Sequence, residues 1–208
     1  MHQLATFIHQ PGFPLALHQF LFALNHQDQA PAEHDNLPSF KGEIRVYHST
    51  IATVYAPSDL CGAGGLRCKH IRSTPSFQVS ECCDTVFVVL NEEKSGMEGM
   101  ANGQVLLFFS FHYCWKDYAC ALINWYMHDD EPDRDTGNWS VQLECDWRGQ
   151  PTVEVIDIDA IARGAHLLPV YGSSRVPDNF SHHNTLDSFN SFFVNHFIDH
   201  HAHQENNI

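Results

Sequence analysis

The hydrophobic pattern of this chain is densest between residues 84 and 172. DTVFVVL (84–90), GQVLLFFSFHY (103–113), YACALINWY (118–126), NWSVQLE (138–144) and PTVEVIDI (151–158) follow one another there, and ARGAHLLPVYG (162–172) closes the series. The first five are short runs rich in Val, Ile, Phe, Tyr and Trp. Most are separated by Gly, Asn, Asp or Pro, and no helical period intervenes, which predicts consecutive strands. In 103–113, Val105, Leu107 and Phe109 alternate with Leu106, Phe108 and Ser110. Both faces begin apolar, so this strand should be central and covered on both sides. The series reads as a small antiparallel barrel or curved sheet.

The flanks carry a different period. In 13–26, Leu17, Phe20, Leu21 and Leu24 fall at i, i+3, i+4 and i+7, and Pro14 suits a first helical turn. This predicts an amphipathic helix docked on the core, preceded by a polar segment, 1–12, broken at Pro11-Gly12. Residues 27–38 read as a polar linker, and 44–47 and 51–55 as strands. Leu186, Phe189, Phe193 and Phe197 repeat the helical spacing, with Thr185 as a cap and Asp187 near the start, so a second amphipathic helix is expected over 186–198. The fold class is therefore mainly β, with a helix packed at each end of the chain. The divisions are an N-terminal helix and linker (1–37), a barrel-like core (38–172), and a C-terminal helix with a His-rich tail (173–208).

At 208 residues the chain can bury a sizeable core, and one decorated domain is the expectation. Its formal charge is −14, which disfavours nucleic acid as the main partner because phosphate binding needs a basic face. It excludes neither a local basic patch nor a partner that is itself basic, such as a histone tail. Full protonation of the 16 histidines would carry that charge past zero and make the surface pH-dependent between about 5 and 8, but a His-rich composition with no switch is the favoured reading. Seven irregularly spaced cysteines and no secretory-signal pattern predict reduced thiols and an intracellular location. A disulfide between Cys114 and Cys120 across their hairpin is not expected in that compartment. No run approaches the roughly 20 apolar residues of a membrane span, so no membrane partner is expected.

Chemical motifs are sparse. Residues 56–66 form a Gly-rich stretch without the spacing of a phosphate loop. Arg67, Lys69 and Arg72 follow it as the local basic cluster, and they are the candidate anion-binding residues. Cys68, His70, Cys82 and Cys83 lack the spacing that presets a zinc site. The acidic loop 127–137 fails the calcium-loop pattern, with Arg134 where Gly is needed and Ser140 where the closing Glu is needed. His200, His201 and His203 read as a polar terminus. No catalytic constellation emerges, and neither a metal nor a cofactor is expected.

Several longer runs add a resemblance. YHSTIATVYAPSDLCGAGGLRCKHIRSTPSF (47–77), DTVFVVL, GMEGMANGQVLLFFSF (96–111), YACALINWY, DEPDRDTGNW (130–139), VIDIDAIARGAHLLPVYG (155–172) and LDSFNSFFVNHFIDHHAHQE (186–205) together resemble the C-terminal region of fungal Plavaka-type transposases. The resemblance covers nearly the whole chain from about Phe13. It implies an accessory, non-catalytic module with a nuclear location. The family pattern is more basic, with Arg-Tyr where Cys82-Cys83 stand and Arg where Gln104 stands, so any DNA contact is weakened here.

The strand layout is also similar to that of the bromo-adjacent homology domain, a distorted barrel that reads histone tails. That likeness implies an aromatic surface for a basic or methylated peptide, with Tyr113, Trp115, Trp125, Tyr126 and Trp139 as the ligand-binding candidates. The acidic loop beside them would favour a basic tail. The competing reading of Trp125 is ordinary core. The expectation is thus a transposon-derived protein- or chromatin-binding module. Its alternatives are a metal-binding protein or metal-dependent enzyme, and a weak nucleic-acid binder through Arg67, Lys69 and Arg72.

Overall fold

A computed structural model describes residues 1–26, 36–55, 65–77, 80–94, 96–172, 175–176, 178, 180–181 and 184–195. The Gly-rich stretch from 56 to 64 and the His-rich tail lie outside the described residues. Among the described residues, three α-helices, α1 (His2–Phe7), α2 (Phe13–Asn25) and α3 (Thr185–Ser188), flank twelve strands. The strands are β1 (Ile44–Tyr47), β2 (Ser49–Tyr55), β3 (Leu66–Phe77), β4 (Ser80–Cys83), β5 (Thr85–Val89), β6 (Met100–Tyr113), β7 (Lys116–His128), β8 (Ser140–Leu143), β9 (Val153–Asp157), β10 (Ile161–Gly164), β11 (Leu167–Pro169) and β12 (Ser191–Val194). The mainly β class read from the pattern is the class observed, as a curled antiparallel sheet with short helices.

Two long strands, β6 and β7, organise the sheet. They pair over almost their full length and are joined by a two-residue turn at Cys114 and Trp115. Each is longer than any neighbour, so each borders two strands in succession. β6 pairs β5 through Met100–Gln104 and β1 through Phe108–Phe111. β7 pairs β9 through Cys120–Asn124 and β8 through Tyr126–His128. β8 and β9 therefore lie end to end along one edge of β7. Between them the chain makes a narrow excursion, closed by the Cys145–Pro151 bridge and by Asp146, whose carboxylate accepts the Arg148 and Gln150 amides at 2.8 Å each. Leu106 is an extra residue where the β6–β7 register shifts between Val105 and Leu107, and such a bulge increases local twist.

The remaining order is β10-β5-β6-β7-β8-β12-β11. β10 and β11 occupy opposite edges yet are consecutive in the chain. Ala165 donates its backbone amide to the carbonyl of Thr85 in β5 at 2.8 Å, and the His166 carbonyl accepts the Asn195 backbone amide beyond β12 at 2.9 Å. The chain itself thus links the two edges, and the sheet curls around an interior holding Phe87, Tyr126, Val141, Leu167, Phe192 and Val194.

Two more apolar layers extend this core. Phe13, Leu17 and Leu21 of α2 pack on Leu107, Phe109, Leu122 and Val155. Phe13 meets Phe109 edge to face at 5.3 Å. On the other face of β6 and β7, Ile71 of β3 packs against Val105, Phe108, Ala121 and Ile123.

Three expectations need correction. Residues 1–12 are not merely polar: Leu4 and Ala5 lie one turn before Ile8, and all three join the α2 layer, which is why α1 forms. The segment from Leu66 to Phe77, read only as a loop and basic cluster, is the long strand β3. The expected C-terminal helix is a single turn, α3, followed by strand β12. Phe192 and Val194 point inward two residues apart, and β12 fills the space between β8 and β11. Sheet pairing outweighs the helical spacing of Leu186, Phe189 and Phe193. Thr185 is the first residue of that turn, and Asn184 precedes it as the N-cap.

Candidate functional site

Successive residues of a strand face opposite sides of the sheet. On β7 one side carries Leu122 and Tyr126, which enter the core clusters. The other side carries Ala121, Ile123 and Trp125. Trp125 lies at the edge of the Ile71–Ile123 layer and is only half buried.

Three features leave a depression beside it. Gly103 stands directly opposite Trp125 on β6 and provides no side chain. A Cβ there would come within 3.2 Å of Ile123 Cδ1. Ala101, two residues earlier on the same face, is also small. Leu90 and Met127, both exposed, rise at the rim. The resulting open groove has a volume of about 490 Å³.

Two carboxylates border this groove. The end-to-end arrangement of β8 and β9 along β7 puts both there. Glu144 donates its amide to the Trp125 carbonyl at 2.8 Å, which places it beside Trp125. Glu154 stands opposite Ile123 on β9, and its carboxylate accepts the Trp125 indole N–H. That bond fixes the indole edge and one carboxylate oxygen together. The groove runs out at His128, where the acidic loop begins. Asp133 organises that loop by accepting from the Thr136 hydroxyl at 2.7 Å and the Thr136 amide at 2.8 Å. The Thr136 bonds hold the Asp133 carboxyl below the ordinary carboxylate range.

Of the five aromatic candidates, the structure places one ring in this groove. Tyr126 borders it but turns its ring into the sheet interior, 6.0 Å from Phe192 and edge to face. Burial, and then the nearby Asp187, raise its phenol well above the ordinary value. Trp139 packs edge to face on His128 at 5.2 Å, within the interior layer. Tyr113 accepts a hydrogen bond from the Asn25 amide at 3.1 Å and packs beside α2. Trp115 is 96% exposed at the β6–β7 turn. It lies ten residues from Trp125 along the hairpin, a distance on the order of 30 Å in an extended strand.

The basic cluster is divided by the same alternation. Arg67 and Lys69 share the Ile71 side of β3, whereas Arg72 points to the other. The Lys69 stem lies over Gly164, where an added Cβ would come within 3.3 Å of it. Arg72 pairs with Asp84 at 3.4 Å, and that carboxylate also accepts the Arg72 amide at 2.8 Å. The three cations therefore form no common anion site.

Among the described residues, no three of His, Cys, Asp and Glu converge as a metal ion would require. Cys114 and Cys120 are both free thiols, so no disulfide spans their hairpin. No described helix is long and apolar enough to cross a membrane.

Glu144 and Glu154 were invisible as site residues in the sequence. Each reads as an outward position of a short strand, and their convergence depends on β8 and β9 sharing one edge of β7. Gly103 carried a weak signal, as a glycine at the start of a strongly apolar strand. No protein-family model matches the chain, and neither a curated protein nor a solved structure matches it significantly.

Proposed function

We propose that this chain is a non-catalytic interaction module that binds a basic protein segment in the groove at Trp125. The observation that carries this reading is the half-buried indole set between Glu144 and Glu154. A cation over an indole face is stabilised by the ring quadrupole, and flanking carboxylates add Coulomb attraction. The net charge of −14 and the acidic loop at the groove's end attract the same partner over a longer range. The resemblance to the accessory region of fungal transposases, and the strand layout similar to a histone-reading barrel, point to a chromatin-derived basic tail in the nucleus.

The division of Arg67, Lys69 and Arg72 over two faces leaves the nucleic-acid reading with less support. Calorimetric titration tests the proposal. A Lys- and Arg-containing peptide should bind saturably and more weakly as salt rises, and an acidic peptide of equal length should not bind. Binding that is unchanged in Trp125→Ala protein that remains folded would remove the groove from the account.

A further inference from the structure

The groove's geometry says which basic side chain it suits. Building on the proposed function, we infer that this site is selective for the guanidinium of arginine, and that it discriminates against trimethylated lysine.

A trimethylammonium group has no N–H to donate. It is held by ring faces that surround it, as in an aromatic cage. Such a cage is not assembled here. Trp125 supplies one indole, while Tyr126 and Trp139 direct their rings into the interior layer. The other apolar walls are aliphatic or thioether: Leu90, Ala101 and Met127. In that setting the trimethyl group would lose its water next to two carboxylates and gain a single indole face in return, with His128 only at the groove's end.

A guanidinium is matched on both counts. It is planar, so it stacks on one indole face, and its five N–H donors spread in a plane toward acceptors at the ring's edge. Glu154 is held at that edge by the indole N–H, and Glu144 stands beside Trp125 on the same side of the sheet. The Trp125 bond occupies one Glu154 oxygen and orients the carboxylate, so less ordering remains when a ligand arrives. An unmodified lysine keeps the charge but presents a compact, strongly hydrated ammonium that cannot use the plane of the ring.

The experiment uses the full chain, ¹⁵N-labelled on its tryptophan indoles, and four peptides that differ at one central position: arginine, lysine, trimethyl-lysine or citrulline. Trp125→Phe protein assigns the Trp125 indole signal among the four tryptophans. The arginine peptide should shift that signal and bind about tenfold or more tighter than the trimethyl-lysine peptide, a difference of one decade in Kd. The lysine peptide should fall between them, and citrulline, which keeps the shape and loses the charge, should bind weakest.

Glu154 is exposed, so Glu154→Gln protein should fold normally, and it should reduce the arginine preference to about threefold or less. Equal or tighter binding of trimethyl-lysine, or an arginine preference untouched by Glu154→Gln, would overturn this selectivity while leaving a basic-segment site in place. Absence of binding by all three cationic peptides would overturn the selectivity and the proposed function together.

Discussion

The β6–β7 hairpin turn offers a quantitative test of how this sheet is built. Cys114 and Trp115 have φ of 46° and 67°, the left-handed values of a two-residue hairpin turn. Neither residue is suited to them. A left-handed conformation costs an L-residue about 1–2 kcal/mol, and Asn or Gly at these positions lowers that cost. Trp115 is 96% exposed, so its removal forfeits almost no burial. Against the gain stands the extra freedom of glycine in the unfolded chain, about 0.5–1 kcal/mol.

The double substitution Cys114→Asn/Trp115→Gly should therefore stabilise the protein by about 1 kcal/mol, or roughly 2–4 °C in Tm for a domain of this size. Urea and thermal unfolding, followed by far-UV circular dichroism, give both quantities. Peptide binding at Trp125 should be unchanged, because the turn lies at the far end of the hairpin. A loss of stability of 1 kcal/mol or more would show that the Trp115 ring contributes a contact outweighing the backbone strain, and the reasoning would fail.

Three further outcomes follow from single side chains. Phe13→Ala should cost about 3–5 kcal/mol in urea unfolding, because Phe13 is fully buried and joins α2 to Phe109; a cost below 1 kcal/mol would mean that α2 is not part of the cooperative core. Burial, with a further contribution from Asp157, pushes the Cys120 thiol up to about 12. At pH 8 a thiol reagent should thus modify the exposed Cys114 and Cys145 promptly and reach Cys120 only on unfolding, and stability should fall as pH climbs from about 9, where the unfolded thiol ionises first. Partial desolvation by its neighbours, and then Lys69, lower the pKa of His166, whose Nδ1 lies 3.0 Å from the Asn195 side-chain Nδ2. The neutral ring is the folded form, so its contribution is present above pH 6.5 and is lost as pH falls below that value. His166→Gln should flatten this acidic limb of the stability profile.

How much of this was legible in the sequence depends on how local each signal was. The runs around Phe87, Phe108 and Ile123 alternate or stay apolar over short distances and are bounded by turn residues, so the strands and the mainly β class could be read directly. Leu17 and Leu21 revealed α2 for the same reason. The C-terminal segment misled because Phe189 and Phe193 satisfy a helical period, while Phe192 and Val194 satisfy a period of two. Only the space between β8 and β11 decides between them.

The site was legible in part. Trp125 could be named as an aromatic candidate, but nothing local distinguished it from Trp115, Tyr126 or Trp139. Which face of β7 a ring occupies, and which strands lie beside it, separated them. The pairing of Glu144 with Trp125 and of Glu154 with Ile123 spans long stretches of chain. Arg67, Lys69 and Arg72 show the converse: a cluster in sequence, divided by strand alternation.

The most direct measurement is an indole-resolved NMR titration of the full chain with a basic peptide at near-physiological salt. The account predicts a saturable shift of the Trp125 indole, whose N–H is held by Glu154, with the Trp115 signal at the far end of the hairpin unmoved. It predicts no shift in the same titration of the Glu144→Gln/Glu154→Gln double variant. A wild-type Trp125 signal that stays fixed while the peptide binds elsewhere, or does not bind, would contradict it.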